Sequence, residues 1–438
     1  MAVKFNKGDI IAYTGNTGGS GGPHLHFEVR DTRTEKIINP LLFGFDVKDT
    51  RTPSVYGVYS YDFDARKELM AFEKYRVIRV ADGKYGLAGS GIIEVQQLPG
   101  IGVVTNDQMD GAPNRNGPYS IQLFIGDKKY YHFEMETFAF DETRYVNSHI
   151  DFGQKVCCGT RVNKLFLDPG NNLSVYSYTP RMNLPELEKD SLYEARIEIA
   201  DLGGNVSVVE FQLKHTHEIV PADEDESNLP VFKYSQTNYF KNDDVQLVIS
   251  SGSLYKDILF EYSQEPAFSG LYSPVHYLGA EEIPVQQYYT LKIKPSDYQG
   301  IPVNKLAIAS IKGQQILDYE GSGYEGGFVT CRTRQFGGFA VVADTNSPLV
   351  SFVNFRDGDV VRHKSELQIR ISDDFSGIKD YNVYVDDNWV RAAYDYKARL
   401  LRVNESDLKF STGQHSFKVV VKDELNNITE RNIKLIWP

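Results

Sequence analysis

The sequence predicts an all-β protein: a short, truncated sheet segment followed by three β-sandwich modules. Three observations carry that expectation. Tyrosine (28) and phenylalanine (25) are abundant beside frequent Val and Ile, and aromatic and β-branched side chains suit a half-buried pleated surface. Apolar residues alternate with polar ones in short runs, and no helix-length amphipathic pattern stands out. One pattern also occurs twice: Asp49-Thr-Arg-Thr-Pro53 and Asp344-Thr-Asn-Ser-Pro348 each precede a strand-like run. Proline fixes φ and cannot join a central ladder, so each marks a linker that opens a module.

The first element, residues 1–48, holds the most informative stretch. It runs Lys7-Gly-Asp-Ile-Ile-Ala-Tyr-Thr-Gly15-Asn-Thr-Gly-Gly-Ser-Gly-Gly-Pro-His24-Leu-His26-Phe-Glu-Val-Arg30. On a strand, side chains two apart share a face. His24, His26, Glu28 and Arg30 then point one way, with Leu25, Phe27 and Val29 turned into a core. Two imidazoles on one face could bring nitrogens to a metal ion, and zinc takes imidazole nitrogen at about 2.0–2.1 Å; two solvent-facing histidines fit the same spacing. The Gly-rich loop before them carries Asn16, Thr17 and Ser20, and glycines there let a substrate backbone approach closely.

Together, Gly-Asp-x-Ile-x-x-x-Gly-Asn-Thr-Gly, Ser-x-Gly-Pro-His-Leu-His-Phe-Glu-Val and Ile38-Asn-Pro40 resemble the end of the lysostaphin-like (M23) family of zinc metallopeptidases. The match covers residues 3 to about 42. The resemblance implies hydrolysis of peptide cross-links or bridges in bacterial peptidoglycan. It makes His26 a zinc ligand and His24 the histidine that assists the attacking water or the tetrahedral intermediate. It places Asn16, Thr17 and Ser20 in a substrate loop. It also implies Zn2+ as cofactor in a complete domain, where bound metal lowers the pKa of water and polarises a carbonyl. Glu28 reads either as a group orienting a histidine or as an outward glutamate.

The family's other ligands come from a His-x-x-x-Asp motif. None of the nine histidines here has Asp at the fourth following position. Catalytic zinc ordinarily uses three protein ligands. The chain by itself is therefore not expected to be a competent peptidase or to bind zinc. Its strands near 9–14 and 24–30 are expected to expose edges and apolar surface, and its first 40 residues to be poorly ordered or propped against the next module. The different-class reading is a non-catalytic envelope binding or scaffold protein with a degenerate peptidase remnant.

The second element, 49–217, ends on Ile197-Glu-Ile-Ala-Asp201-Leu-Gly-Gly-Asn205 before the alternating run Val206 to Leu213. The last, 346–438, ends in the same way on Asp423-Glu-Leu-Asn-Asn427 before Ile428 to Ile436. Both place a short Asp…Asn turn between two strands, where side-chain carbonyls bond local backbone. Two modules of one family follow, the first lengthened by insertions. The acidic stretch 218–228 reads as a linker, and 228–345 as a sandwich on the alternating runs Val245 to Ile249 and Tyr289 to Ile293. In the last module Leu367, Ile369 and Ile371 alternate with Gln368, Arg370 and Ser372. Its order Ser-Asp-Asp-Phe-Ser-Gly-Ile378, a Tyr-Asp turn at 394–395, and Gly413-Gln-His-Ser-Phe-Lys-Val resembles bacterial Ig-like repeats.

The remaining residues mostly exclude. A net charge of −12 argues against nucleic acid, which needs clustered Lys and Arg, and fits a monomer outside the membrane. No apolar run approaches the roughly 20 residues that span a bilayer. An envelope location, periplasmic or secreted, would need a targeting segment upstream, and peptidoglycan or another envelope polymer is the partner expected. Cys157, Cys158 and Cys331 read as free or buried thiols, since adjacent cysteines seldom bridge. His215-Thr-His217 reads as solvated linker, His149-Ile-Asp151 as a surface strand pair, and Asp373-Asp374 and Asp386-Asp387 as turns that could hold calcium but do not require it.

Overall fold

A computed structural model describes residues 4–437 except 12, 14–23, 64–68, 97, 179–185, 219–227, 362–365, 405–406 and 409–410. The loop residues Asn16, Thr17 and Ser20 and almost all of the acidic linker fall outside the described residues. The regular structure of the described residues is almost entirely strand, arranged mainly as face-to-face sheets. Among the described residues no helix is long and apolar enough to cross a membrane.

The first sandwich packs two sheets. One runs Tyr176–Tyr178, Lys128–Glu134, Ser120–Ile125, Leu192–Ala200, Val206–His217, Lys84–Leu87 and Val77–Ala81, with Ile92–Gln96 also paired to Val206–His217. The other runs Asn163–Lys164, Gly100–Asn106, Ser54–Phe63 and Leu69–Tyr75. Period-two alternation does the sorting: Val209, Phe211 and Leu213 point into the shared core with Ile121, Leu123 and Ile197. His215 continues that inward face and is buried. It is not solvated linker, because the alternation runs two residues past the last aliphatic side chain.

The second sandwich joins a five-stranded sheet, Asn238–Lys241 to Gly323–Glu325, to another that runs from Tyr262–Glu265 to Gln315–Gly321. Its core includes Leu247, Ile249, Leu291 and Ile293. The third has two four-stranded sheets around Leu367, Ile369, Ile371, Val383, Val385, Phe417, Val419 and Val421. Burying each such side chain contributes about 1.5–3 kcal/mol. Asp386 and Asp387 both take positive φ between Val385 and Asn388, the two-residue hairpin turn that matches strand twist. Tyr394 and Asp395 lie in the strand Ala393–Asp395 rather than in a turn; the chain reverses just after them, with Arg399 at φ 54°.

Two further readings are corrected. His149 closes a short helix, Val146–His149, and Asp151 caps the next, Phe152–Cys158, by accepting from Gln154 N at 2.9 Å. His149 is buried, held by Tyr176 Oη at 2.9 Å and Asn163 at 3.1 Å, so the pair is neither a strand face nor a surface contact. Cys157 and Cys158 are exposed and disulfide-bonded to each other at the end of that helix, where Gly159 turns left-handed. Cys331 is a free, buried thiol.

The sandwiches touch. Arg144 Nη2 donates to Val285 O at 2.6 Å and Tyr255 Oη to Arg144 O at 2.7 Å, joining the first to the second. Leu425 of the third lies in an apolar cluster with Val275, Ala307, Ala309, Ala340 and Val342 of the second. Lys305 Nζ donates to Leu425 O at 2.9 Å beside it.

Candidate functional site

The histidine segment is only partly a strand. Val29–Arg30 pairs antiparallel with Ile37–Ile38, and Ile37–Ile38 pairs in turn with Thr137–Phe138 of the first sandwich. The same-face expectation holds where side chains are described. His26 Nε2 lies 2.7 Å from Glu28 Oε1, and Arg30 Nε donates to Glu28 Oε2 at 2.7 Å. The Arg30 hydrogen bond, with His26 beside it, holds the Glu28 carboxyl below the usual carboxylate range. Arg30 also stacks over Phe140 at 5.2 Å. The opposite face does not enter a core: Leu25 is 82% exposed and Phe27 60%. Phe27 meets Phe45 edge-on at 5.7 Å, and Val29–Arg30 has a single strand neighbour among the described residues.

The segment that follows is tied down firmly. Asn39 N donates to Glu136 O at 2.8 Å and Lys36 Nζ to Glu142 at 2.9 Å. Glu142 also accepts from Ser174 N and Oγ at 3.0 and 2.6 Å. Partial burial alone would raise the Glu142 pKa; the Ser174 and Lys36 bonds outweigh it and lower it. Asn39 caps the 3-10 turn Pro40–Phe43, which ends on left-handed Gly44. One added edge strand and a part-buried ion pair thus hold residues 36–39 against the first sandwich.

His24 and His26 bring two imidazoles, where catalytic zinc ordinarily uses three protein ligands. The His24 and His26 rings lie 6.5 Å apart centroid to centroid, and the Nε2 of His26 already faces Glu28. Among the described residues, neither histidine belongs to any group of three His, Cys, Asp or Glu donors close enough to share one ion. Two such groups do exist, Asp49 with Asp107 and Asp201, and Asp344 with Asp373 and Asp423. Each set's donor atoms lie within 4.8 Å of one another. The sequence signalled four of these residues through its repeated Asp…Pro and Asp…Asn patterns. It gave Asp107 no prominence and read Asp373 as a turn.

A second concavity was not foreseen. A cleft of about 320 Å³ opens between the first two sandwiches, lined by Tyr61, Phe152, Phe166, Lys164, Asp168 and Tyr255 among others. Most of its polar groups are consumed internally, with Tyr61 Oη donating to Asp151 at 3.0 Å and Lys164 to Asp168 at 2.8 Å.

No curated protein matches this chain. Among solved structures, similarity is found to an endo-beta-1,4-mannanase from Thermotoga petrophila, at 14% identity over 22% of this chain and 20% of that one, TM-score 0.19. It is also found to fibronectin(III)-like modules of Clostridium thermocellum CbhA, at 14% identity over 34% of this chain and 85% of that one, TM-score 0.16. A third is SGBP-B of a Bacteroides ovatus mixed-linkage glucan utilization locus, in complex with a heptasaccharide: 10% identity over 77% of this chain and 63% of that one, TM-score 0.15. The chain thus spans a fifth of the mannanase's length and under two thirds of the glucan-locus protein's. Residues 230–344, the second sandwich, match the Zu5-like domain family.

Proposed function

We propose that residues 1–48 form the closing segment of a lysostaphin-like zinc endopeptidase domain acting on peptidoglycan peptide cross-links or bridges, and that the three sandwiches hold that segment in place in the bacterial envelope. The observation that supports this best is the joint: Ile37–Ile38 is an added strand on Thr137–Phe138, locked by Lys36 to Glu142. A catalytic segment so attached is presented at a fixed orientation. In this reading His26 would hold the metal, which supplies a water of lowered pKa when bound, and Glu28 sets the orientation of the His26 ring. The remaining ligands have to come from outside these 438 residues, because no His-x-x-x-Asp occurs in them. The proposed chain is monomeric, periplasmic or secreted, and its partner is peptidoglycan or another envelope polymer.

The donor geometry favours a second reading, a non-catalytic envelope scaffold in which the segment has become structural. One measurement separates the two: the N-terminus of the protein from its own source, read by mass spectrometry. Upstream residues containing His-x-x-x-Asp, in a product that releases peptides from purified peptidoglycan and loses that activity in His26→Ala, are the expected result. A native start at Met1 would defeat the peptidase reading and leave the scaffold.

A further inference from the structure

The two carboxylate groups are one device used twice. Asp49 and Asp344 each lie four residues before the proline that opens a module. Asp201 and Asp423 each begin the Asp…Asn turn near its end. The third members also correspond. The residue after each proline, Ser54 or Leu349, pairs with Asn106 or Ser372, and Asp107 or Asp373 comes next. The surrounding bonds repeat as well. Asn205 Nδ2 donates to Asp49 O at 3.2 Å and to Asp201 Oδ2 at 2.7 Å; Asn427 Nδ2 donates to Asp344 O at 3.1 Å and to Asp423 Oδ2 at 2.7 Å. Arg51 N and Asn346 N donate to Asp49 and Asp344.

That lock of asparagine and linker accounts for two aspartates of each group and leaves out the third. Neither Asp107 nor Asp373 bonds to it, yet each carries a side-chain oxygen, Oδ1, that is buried without a hydrogen-bond partner, as does Oδ2 of Asp344. Asp107 is 5% exposed and Asp344 3%. A buried carboxylate oxygen without a donor is costly, and here two further carboxylates of the same sign surround it. Burial, then the neighbouring Asp201 and Asp49, push the Asp107 carboxyl up; burial, then Asp373 and Asp423, do the same to Asp344. One positive ion at the centre would satisfy all three groups at once. Calcium takes oxygen ligands only, at about 2.3–2.6 Å, so oxygens sharing one ion lie at most about 5 Å apart. The donor atoms of each set lie within 4.8 Å of one another, inside that limit.

We infer that Asp49, Asp107 and Asp201 hold one divalent cation of the calcium type, and Asp344, Asp373 and Asp423 a second. Their positions give the ions a purpose. Asp107 and Asp201 line a cleft of about 460 Å³ that also takes in Asn39, Phe45 and Val47 of the segment before the first sandwich. The turn from Asp423 carries Leu425 into the interface with the second sandwich. Each cation therefore cross-links a linker, a strand end and a turn at a joint between units, and filling the sites stiffens the array. The inference stands independently of any peptidase activity.

Calorimetric titration of chelator-stripped full chain with CaCl2 tests it. Two sites per chain are expected, falling to one in Asp107→Asn, to one in Asp373→Asn and to none in the double variant, with a calcium-dependent rise in melting temperature that shrinks in step. Each single variant keeps the other site, so a count of one also reports a folded chain. Fewer than two sites in the unaltered chain at up to about 10 mM CaCl2, well above the weak range for extracellular modules, overturns the inference. So does a count that either substitution leaves at two.

Discussion

Asp168→Ala should destabilise the first sandwich by about 3–5 kcal/mol, the cost of removing one partner from a buried ion pair. Lys164 and Asp168 are both largely buried and 2.8 Å apart, and Ser148 Oγ donates to the same carboxylate at 2.5 Å. Burial alone would raise the Asp168 pKa. The Lys164 and Lys256 charges, with the Lys164 and Ser148 bonds, outweigh it and lower it. Alanine leaves the Lys164 ammonium without a counter-charge beside the aromatic ring of Phe166. The loss should be read as a drop in the urea midpoint of the unit carrying it. Adding Lys164→Met should return most of that loss, since an apolar replacement for the whole pair is often neutral. A midpoint unchanged in Asp168→Ala would mean that water reaches Lys164 through the inter-sandwich cleft and solvates the charge.

The same residues show why the array docks where it does. Two positions on from Asp168, Gly170 N donates to Tyr255 O at 2.7 Å across the joint. A Cβ at position 170 would sit 2.8 Å from that carbonyl and 2.9 Å from Leu254 O. The loop that carries the buried pair thus also forms the close backbone contact with the second sandwich. Loss of the pair should loosen the joint as well as the core.

What was legible in the sequence follows from what local pattern encodes. Period-two alternation marked the buried faces of Leu367–Ile371, Val245–Ile249 and Phe417–Val421 directly, because burial of one face is a property of the strand alone. The repeated Asp…Pro and Asp…Asn signatures marked two related modules, and their side chains meet as a lock. Asp107 was not legible: its role depends on a strand pairing, Ser54 with Asn106, between residues far apart in sequence. His149 misled because a helix of four residues has no period to read, and its burial comes from Tyr131, Tyr176 and Phe133 on other strands. The exposed Leu25 and Phe27 misled for the opposite reason. Alternation says which residues share a face, not whether anything covers it.

Lowering the pH from 7 to 5 should weaken the first two sandwiches by roughly 2 kcal/mol each and spare the third, on the strength of three histidines. Burial holds His149 down to about 4, with Lys164 pushing the same way against the Asn163 bond. Burial likewise holds His276 down to about 4 against the pull of Asp244. Both are neutral in the folded chain, whereas in the unfolded chain they protonate near 6.5. The unfolded state therefore binds more protons between about pH 6.5 and 4, and stability falls as pH falls through that window. His415 has the opposite sign. The Asp386 bond and the Ser411 carbonyl raise its pKa, so its contribution is fully present below the unfolded value and fades as pH rises through the folded one. Thermal melts at pH 7 and 5 should show the first two transitions moving down while the third does not. His276→Phe should flatten the response of the second sandwich alone. Tyr262 retains its bond to Gln264 there, and the buried, unpartnered Nε2 of His276 is removed. A second transition that keeps its full pH dependence in His276→Phe would place the acid sensitivity on other groups.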